Sequence, residues 1–188
     1  IQASVPRMSP ALLSRRLREL ERARILERRP LPGGRGAEYR LTEAGRALLP
    51  VLEAMGLWAL EWLEREVFAE RNLDPGLLMW ELRRIALSAP RPPARRRVAR
   101  FRMDDAPEGK RLYWLVFEPE EVDICLRDPG FEVDLWITAP IRVLVEVWLG
   151  RRGLAEALES GAIALDGPPE EIRAFRDWFA LSPFARGG

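Results

Sequence analysis

Arginines recur at helical spacing near the start of the chain. In the run of residues 10 to 22, Arg15, Arg18 and Arg22 lie three and four residues apart, so they share one face of an α-helix, together with Ala11 and Ser14. A guanidinium group forms forked hydrogen bonds with phosphate oxygens and with guanine. Small residues beside it allow close approach to a surface. These residues predict recognition of a polyanion.

Residue types that support catalysis are scarce in this chain. It has no histidine, and Cys125 is its only cysteine, which excludes an intramolecular disulfide and a cysteine metal cluster. The glycine-rich run of residues 33–36 falls between two predicted strands, whereas a phosphate-binding loop precedes a helix. We therefore expect no enzymatic activity, no cofactor and no metal. Cys125 could be a reactive thiol, although an inert cysteine is favoured.

Charge is distributed unevenly along the 188 residues. The first fifty carry a net charge of +6 and the remainder −5, which points to a polyanionic partner for the first part only. Apolar residues make up 47% of the chain, enough for a packed core. We find no membrane-spanning stretch and no secretory signal, and expect a cytoplasmic protein without a membrane partner.

The arginine face belongs to a predicted helix that begins at Ser9-Pro10, a capping serine followed by proline at the first helical position. Its leucines, Leu13, Leu17 and Leu20, form an apolar stripe on the other side. Next come a strand at 25–29, a flexible turn around Arg35, a strand at 38–41 and a helix opened by Thr42. This is the order of a winged helix, in which the helix enters the major groove and the wing reaches the neighbouring backbone.

The same residues resemble the HxlR family of bacterial transcription regulators. The similarity lies in separated motifs that occur in the right order, Met8 to Leu20, Ile25 to Arg29 and Tyr39 to Leu48. It implies a homodimer on a pseudo-palindromic operator. The family's first helix and most of its second do not appear in the sequence, so we expect either that further residues precede Ile1 or that the domain is truncated. The predicted contacts with double-stranded DNA are Ser9, Ala11, Ser14, Arg15, Arg16, Arg18 and Arg22 on the helix and Arg35 on the wing.

The arginine-rich helix face and the glycine-rich turn each have an explanation that does not involve DNA binding. An arginine-rich helix face is often only a solvated face, and a glycine-rich turn is often only a hairpin. Their combination in winged-helix order favours DNA contact.

Residues 43–68 read as one long helix with two apolar faces. One face contains Met55 and Trp62, and the other contains Leu57 and Leu60. A helix that is apolar on most sides must be buried. The second face predicts a dimer interface, and the alternative is packing against the C-terminal half of the same chain. This helix completes a predicted DNA-binding domain over residues 1–70.

Residues 71–188 form the second predicted domain, where the pattern changes to the two-residue period of strands. We predict a four-stranded antiparallel sheet from residues 97–103, 112–117, 122–127 and 131–137, with a hairpin turn at 128–130. A fifth strand is predicted at 162–165, and helices follow the sheet. The fold class is therefore α+β, a winged helix and a long linking helix followed by an antiparallel sheet of about five strands covered by helices.

The C-terminal half resembles a sterol carrier protein domain. The similarity is carried by residues 137–140, by Trp148-Leu149-Gly150-Arg151, by the Ser160-Gly161 pair and by Leu165-Asp166-Gly167. It implies an apolar cavity and, in a regulator, a sensor for a small apolar ligand. The candidate lining residues, which ordinary core packing explains equally well, are Phe101, Trp114, Leu135, Leu144 and Trp148.

Two functions remain open at this point. The first is a dimeric transcriptional regulator whose C-terminal domain senses a small apolar ligand. The second is a lipid- or metabolite-binding module whose winged helix serves dimerisation or protein contact.

Overall fold

The computed structural model describes residues 8–31, 36–87, 95–119, 121–179, 181–182 and 184–185. It divides into two compact units, Ile1–Glu64 and Arg65–Gly188, which are described separately below. The fold class is α+β, as predicted from the sequence.

The first unit has the element order of a winged helix. Its elements are α1 (Pro10–Arg22), β1 (Leu26–Pro30), β2 (Ala37–Leu41), α2 (Glu43–Ala47) and α3 (Leu49–Trp62). Strands β1 and β2 pair antiparallel, from Leu26 opposite Leu41 to Pro30 opposite Ala37. The Leu31 N–H closes the hairpin with a 3.3 Å hydrogen bond to the Gly36 carbonyl.

Local sequence signals determine where α1 begins and ends. The Ser9 side chain accepts a hydrogen bond from the Leu12 N–H at 3.3 Å, and Pro10 occupies the first helical turn. After the helix, Arg24 adopts a left-handed conformation with φ of 57°. That conformation reverses the chain into β1, so the helix and the wing are joined by a tight turn.

The predicted single helix over residues 43–68 is wrong in detail, because it is interrupted twice. Helix α2 ends at Ala47, α3 ends at Trp62, and α4 (Glu64–Val67) follows. Pro50 explains the first break, because it has no N–H to continue the helical hydrogen-bond ladder, and proline is tolerated only in the first turn of a helix. At the second break Leu63 has φ of −120° and leaves the helical conformation.

The second unit is built on a five-stranded mixed sheet. Its strand order is β5-β4-β3-β6-β7, formed by β3 (Arg97–Arg102), β4 (Leu112–Phe117), β5 (Val122–Cys125), β6 (Leu135–Thr138) and β7 (Ala164–Asp166). A 3₁₀ turn (Glu70–Asn72) and helix α5 (Pro75–Leu87) precede the sheet in the chain. Helices α6 (Ile141–Trp148), α7 (Leu154–Glu159) and α8 (Pro169–Trp178) follow β6.

The expectations of an entirely antiparallel sheet and of a hairpin at residues 128–130 are wrong. Strand β6 pairs in parallel with β3, and β5 lies at the other edge, beyond β4. The connection from β5 to β6 therefore crosses the sheet. At its end the Asp134 N–H donates to the Val98 carbonyl at 2.9 Å, and the Val98 N–H donates to Asp134 Oδ2 at 2.8 Å. This pair of bonds ties the crossing segment to β3.

The two faces of the sheet have different surroundings. One face, here called the covered face, carries Phe101 and Phe117, whose rings lie 6.2 Å and 5.1 Å from the Trp178 ring of α8. The opposite face carries a smaller buried cluster, formed by Val98, Trp114 and Val116. We call this opposite face the crossing face, because Val133 of the β5–β6 connection packs there.

Gly45 holds the first unit together through a close backbone approach. A Cβ atom at this buried position would lie 2.2 Å from the Ile25 carbonyl oxygen. We expect Gly45→Ala to destabilise the first unit by about 1–3 kcal/mol, because the backbone contact must open. Hydrogen exchange of residues 8–48 measures this effect. Gly153→Ala is the matched control, since its nearest neighbour lies at an ordinary 3.7 Å. Equal protection in both variants contradicts the prediction.

Candidate nucleic-acid interface

Helix α1 presents one continuous exposed face. Its members are all exposed to solvent and follow one another at the helical spacing i, i+3, i+4, i+7 and i+11. They are Ala11, Ser14, Arg15, Arg18 and Arg22. We call this set the α1 face. On the other side of the helix Leu13 and Leu17 are half-buried, whereas Leu20 remains 40% exposed. Two of the three leucines of the predicted stripe thus anchor the helix.

Glu19 engages the arginines at one flank of the α1 face. Its carboxylate accepts a 2.7 Å hydrogen bond from Arg16 Nη1 and lies 3.7 Å from Arg15 Nε. The hydrogen bond from Arg16 is the main reason that the pKa of Glu19 is lowered from its usual value, and the nearby arginine charges add to it. Arg16 itself lies about a third of a turn away from the α1 face. Glu19 therefore competes with any other anion for two of the predicted contact residues.

Arg18 and Arg22 carry no ion pair within the described part of the chain. Both are exposed on the α1 face, with Arg18 one turn before Arg22, the last residue of the helix. Arg22 is close enough to Glu19 to help lower the pKa of that carboxyl, but neither guanidinium is held in an ion pair among the described residues, so both are available to an external anion. The Ser9 side chain is occupied as the helix cap, so its hydroxyl is turned to the backbone of α1.

Each strand of the wing contains an ion pair between two of its own residues. Arg29 pairs with Glu27 at 2.6 Å and Arg40 pairs with Glu38 at 2.8 Å. Arg28, on the other side of β1, is exposed and has no ion pair among the described residues. Arg35, predicted as the wing contact, lies outside the described residues. The sequence interpretation did not single out Arg28, because its position in β1 depends on the strand register.

Thr42 positions the α1 face relative to the wing. Its hydroxyl donates to the Arg24 carbonyl at 2.6 Å and accepts from the Gly45 N–H at 3.1 Å. Its own N–H donates to the Ile25 carbonyl at 3.1 Å. These hydrogen bonds connect the start of α2 to the turn between α1 and β1. The sequence indicated the capping role of Thr42, but the contact with residues 24 and 25 needs the folded chain.

Three of the five residues predicted to line a pocket lie on the sheet, on different faces, and the other two belong to α6. Phe101 and Leu135 lie on the covered face and are buried, and Leu144 of α6 is also buried. Trp114 is on the crossing face, because it pairs with Arg100 rather than with a residue of the covered face. Trp148 is half-buried, and its Nε1 has no acceptor among the described residues. The five side chains therefore do not share one face.

Cys125 is half-buried on β5. Burial, together with the negative charge of Asp123, raises the pKa of its thiol. A thiol with a raised pKa is a weak nucleophile at neutral pH. Among the described residues, no group of three or more histidine, cysteine, aspartate or glutamate side chains could hold a metal ion. No helix in the same ranges is long and apolar enough to cross a bilayer.

The first unit is a winged helix-turn-helix domain. Its capped helix α1 carries the arginine face, and the two-stranded wing and helix α2 follow it. Residues 1–67 match the family described as HxlR-like helix-turn-helix. The N-terminal part of the chain is therefore similar to HxlR-like helix-turn-helix proteins.

Two curated proteins of Bacillus subtilis (strain 168) are similar to this part of the chain. The "Uncharacterized HTH-type transcriptional regulator YvaP" is 40% identical over 65 residues, which are 34% of this chain and 60% of YvaP. The "HTH-type transcriptional regulator YodB" is also 40% identical over 65 residues, covering 34% of this chain and 58% of YodB. The chain thus spans about three-fifths of the length of these relatives.

The C-terminal region is structurally similar to sterol carrier protein 2 domains. The crystal structure of Sterol Carrier Protein 2 Like 2 from Aedes aegypti matches with a TM-score of 0.38 and 12% sequence identity. The match covers 52% of this chain and 89% of that protein.

Proposed function

We propose that this protein is a transcriptional regulator that binds double-stranded DNA as a homodimer, in the bacterial cytoplasm where the chromosome lies. The observation that carries the proposal is the α1 face of a capped helix, which exposes Arg18 and Arg22, neither of them held in an ion pair among the described residues. In this role α1 enters the major groove. Arg18 and Arg22 contact phosphates or guanine edges, and Ala11 and Ser14 allow close approach to the bases.

The surface of α3 supports the homodimer. Val51, Met55, Trp58 and Trp62 follow one another at i, i+4, i+7 and i+11 and are between 54% and 68% exposed. We call these four residues the α3 stripe. An apolar row of this length on a soluble helix marks an interaction surface.

A second copy of the chain is the occupant that fits the α3 stripe. Glu53 and Glu61 are the only charged residues within α3, and neither belongs to the stripe, so the surface that would be buried is itself uncharged. A helix that packs against its own copy about a two-fold axis forms a closed, self-complementary interface. Such symmetry also places two recognition helices on one side of a duplex, as a pseudo-palindromic operator requires.

The C-terminal unit is proposed as the sensor of this regulator. A small molecule that binds it changes DNA affinity only if it prefers one arrangement of the two recognition helices over the other. The buried Phe101, Leu135 and Leu144 supply the stable core of this unit.

Salt dependence of binding tests the proposal directly. Fragments of the source genome are titrated with the protein in gel shifts at two salt concentrations. Each phosphate contact adds about 0.9 to the slope of log affinity against log salt, so several contacts per subunit give a steep loss of affinity. Specific fragments that bind in this way support a regulator. An absence of binding at low salt contradicts it and favours a module whose winged helix contacts proteins.

Glu19→Gln is expected to strengthen DNA binding several-fold. The substitution releases Arg15 and Arg16 from the carboxylate and removes a negative charge that repels phosphates. Gel shifts at low salt measure the gain. Glu21→Gln is the matched control, because it removes the same charge from the opposite flank of α1, where no arginine is paired with it in the described part of the chain. Equal gains in both variants show that only net charge matters.

A further inference from the structure

One straight row of side chains crosses the whole sheet on its crossing face. The strand register places the five residues opposite one another in the order Cys125, Trp114, Arg100, Trp136 and Asp166. The central residue is a cation with an indole on each side. Its Cζ atom lies 4.4 Å from the Trp136 ring centroid and 5.6 Å from that of Trp114.

Arg100 differs from the other two arginines of β3. Arg97 lies 3.4 Å from Glu171, and Arg102 lies 2.7 Å from Asp104. Arg100 has no carboxylate partner within the described part of the chain, and its buried Nε has no hydrogen-bond acceptor. Its terminal nitrogens are not among the buried unpaired atoms, and the residue is only half-buried, so these nitrogens reach solvent. The guanidinium is therefore held in place by two rings but left without a counter-ion.

Trp114, the neighbour of Arg100 in the row, also has a buried donor without an acceptor among the described residues. The residue is 6% exposed, and its Nε1 is a buried donor without an acceptor. Buried polar groups in folded proteins are nearly always paired, because an unpaired donor costs about 1–3 kcal/mol. Two unpaired donors on neighbouring residues of one row make this part of the crossing face electropositive, and the terminal nitrogens of Arg100 are the donors that a ligand can reach.

We propose that the crossing face binds a small aromatic carboxylate at Arg100. A carboxylate matches the forked geometry of a guanidinium, with both oxygens on the terminal nitrogens. Trp136, which is 41% exposed, provides an open ring surface for the aromatic body of the ligand. This site lies within the second unit, and its existence does not depend on the proposed DNA binding.

The neighbours of the row restrict the ligand to one acidic group. Asp166 is exposed at the end of the row beyond Trp136, so it repels a second negative charge on that side. The adjoining row on one side is apolar at Val98 and Val116, which pair with each other. On the other side the charge of Arg102 is already neutralised by Asp104. A monoanion with an apolar body fits these surroundings better than a phosphate or a dicarboxylate.

Titration of the full chain with 1-naphthoate tests the site. Binding is followed by calorimetry and by the indole N–H resonances of the seven tryptophans, which single Trp→Phe variants assign. We expect 1-naphthoate to shift the resonances of Trp114 and Trp136 more than those of the other five. The neutral analogue 1-naphthylmethanol is expected to bind at least about tenfold more weakly, because a charge-assisted hydrogen bond contributes at least 1.4 kcal/mol.

We expect Arg100→Gln to weaken 1-naphthoate binding by about tenfold or more. Arg102→Gln is the matched control, because Arg102 lies on the same strand and the same face, and it should leave binding unchanged. If Arg100→Gln does not fold, the resonance shifts in the unmodified chain still decide the question. The proposal is overturned by unshifted Trp114 and Trp136 resonances, by equal binding of the alcohol, or by full binding to folded Arg100→Gln. Because no DNA is present, none of these outcomes reflects on the proposed regulator function.

Discussion

Replacing Arg18 and Arg22 together with alanine is expected to lower DNA affinity at least about a hundredfold at low salt. Both side chains are exposed on the α1 face and lack ion pairs in the described part of the chain, so an alanine removes an available cation rather than an ion pair. A homodimer loses each contact twice. Gel shifts on a specific fragment measure the affinity, and the salt slope should fall by about 0.9 for each lost phosphate contact.

The control for this variant removes the same charge from another helix. Arg173 and Arg176 are exposed on α8, in the second unit, and Arg173→Ala with Arg176→Ala changes the net charge equally. We expect this control to bind DNA like the unmodified chain. If the two double variants lose affinity equally, long-range charge explains the binding and the assignment of the α1 face is wrong.

The double variant Trp58→Glu with Trp62→Glu is expected to convert the dimer into a monomer. Burying an aromatic side chain stabilises an association by about 1.5–3 kcal/mol, and the symmetric contact contains each tryptophan twice. The new carboxylates must also be desolvated. We therefore expect the dissociation constant of the dimer to rise at least about a thousandfold, measured by sedimentation equilibrium. Binding to a full operator should fall to the affinity for a half-site.

A pair of exposed leucines in the second unit provides the control for this change. Leu126 is 69% exposed and Leu181 is 51% exposed, so Leu126→Glu with Leu181→Glu adds the same charge to apolar surface elsewhere. This control should remain dimeric. A dimer that survives the tryptophan double variant, or a chain that is monomeric from the start, would falsify the assignment of the α3 stripe.

Elements whose signals lie within a few residues of one another could be predicted from the amino-acid sequence. Ser9-Pro10 predicted the start of α1, and the arginine and leucine spacings predicted its exposed and half-buried sides. Thr42 likewise predicted the start of α2. Caps and helical periodicity depend on hydrogen bonds and contacts between residues no more than about four apart, so they can be identified before the fold is known.

The tertiary structure alone decided which distant residues meet. A two-residue period identifies strands but does not state which strands are neighbours, so the parallel pairing of β3 with β6 was not predicted. That pairing places Trp136 beside Arg100. The register of β3 with β4 places Trp114 opposite Arg100, on the other face from Phe101 and Leu135. The position of Thr42 on residues 24 and 25 has the same origin. Such contacts depend on the path of the whole chain and on burial summed over many residues, and no short segment contains that information.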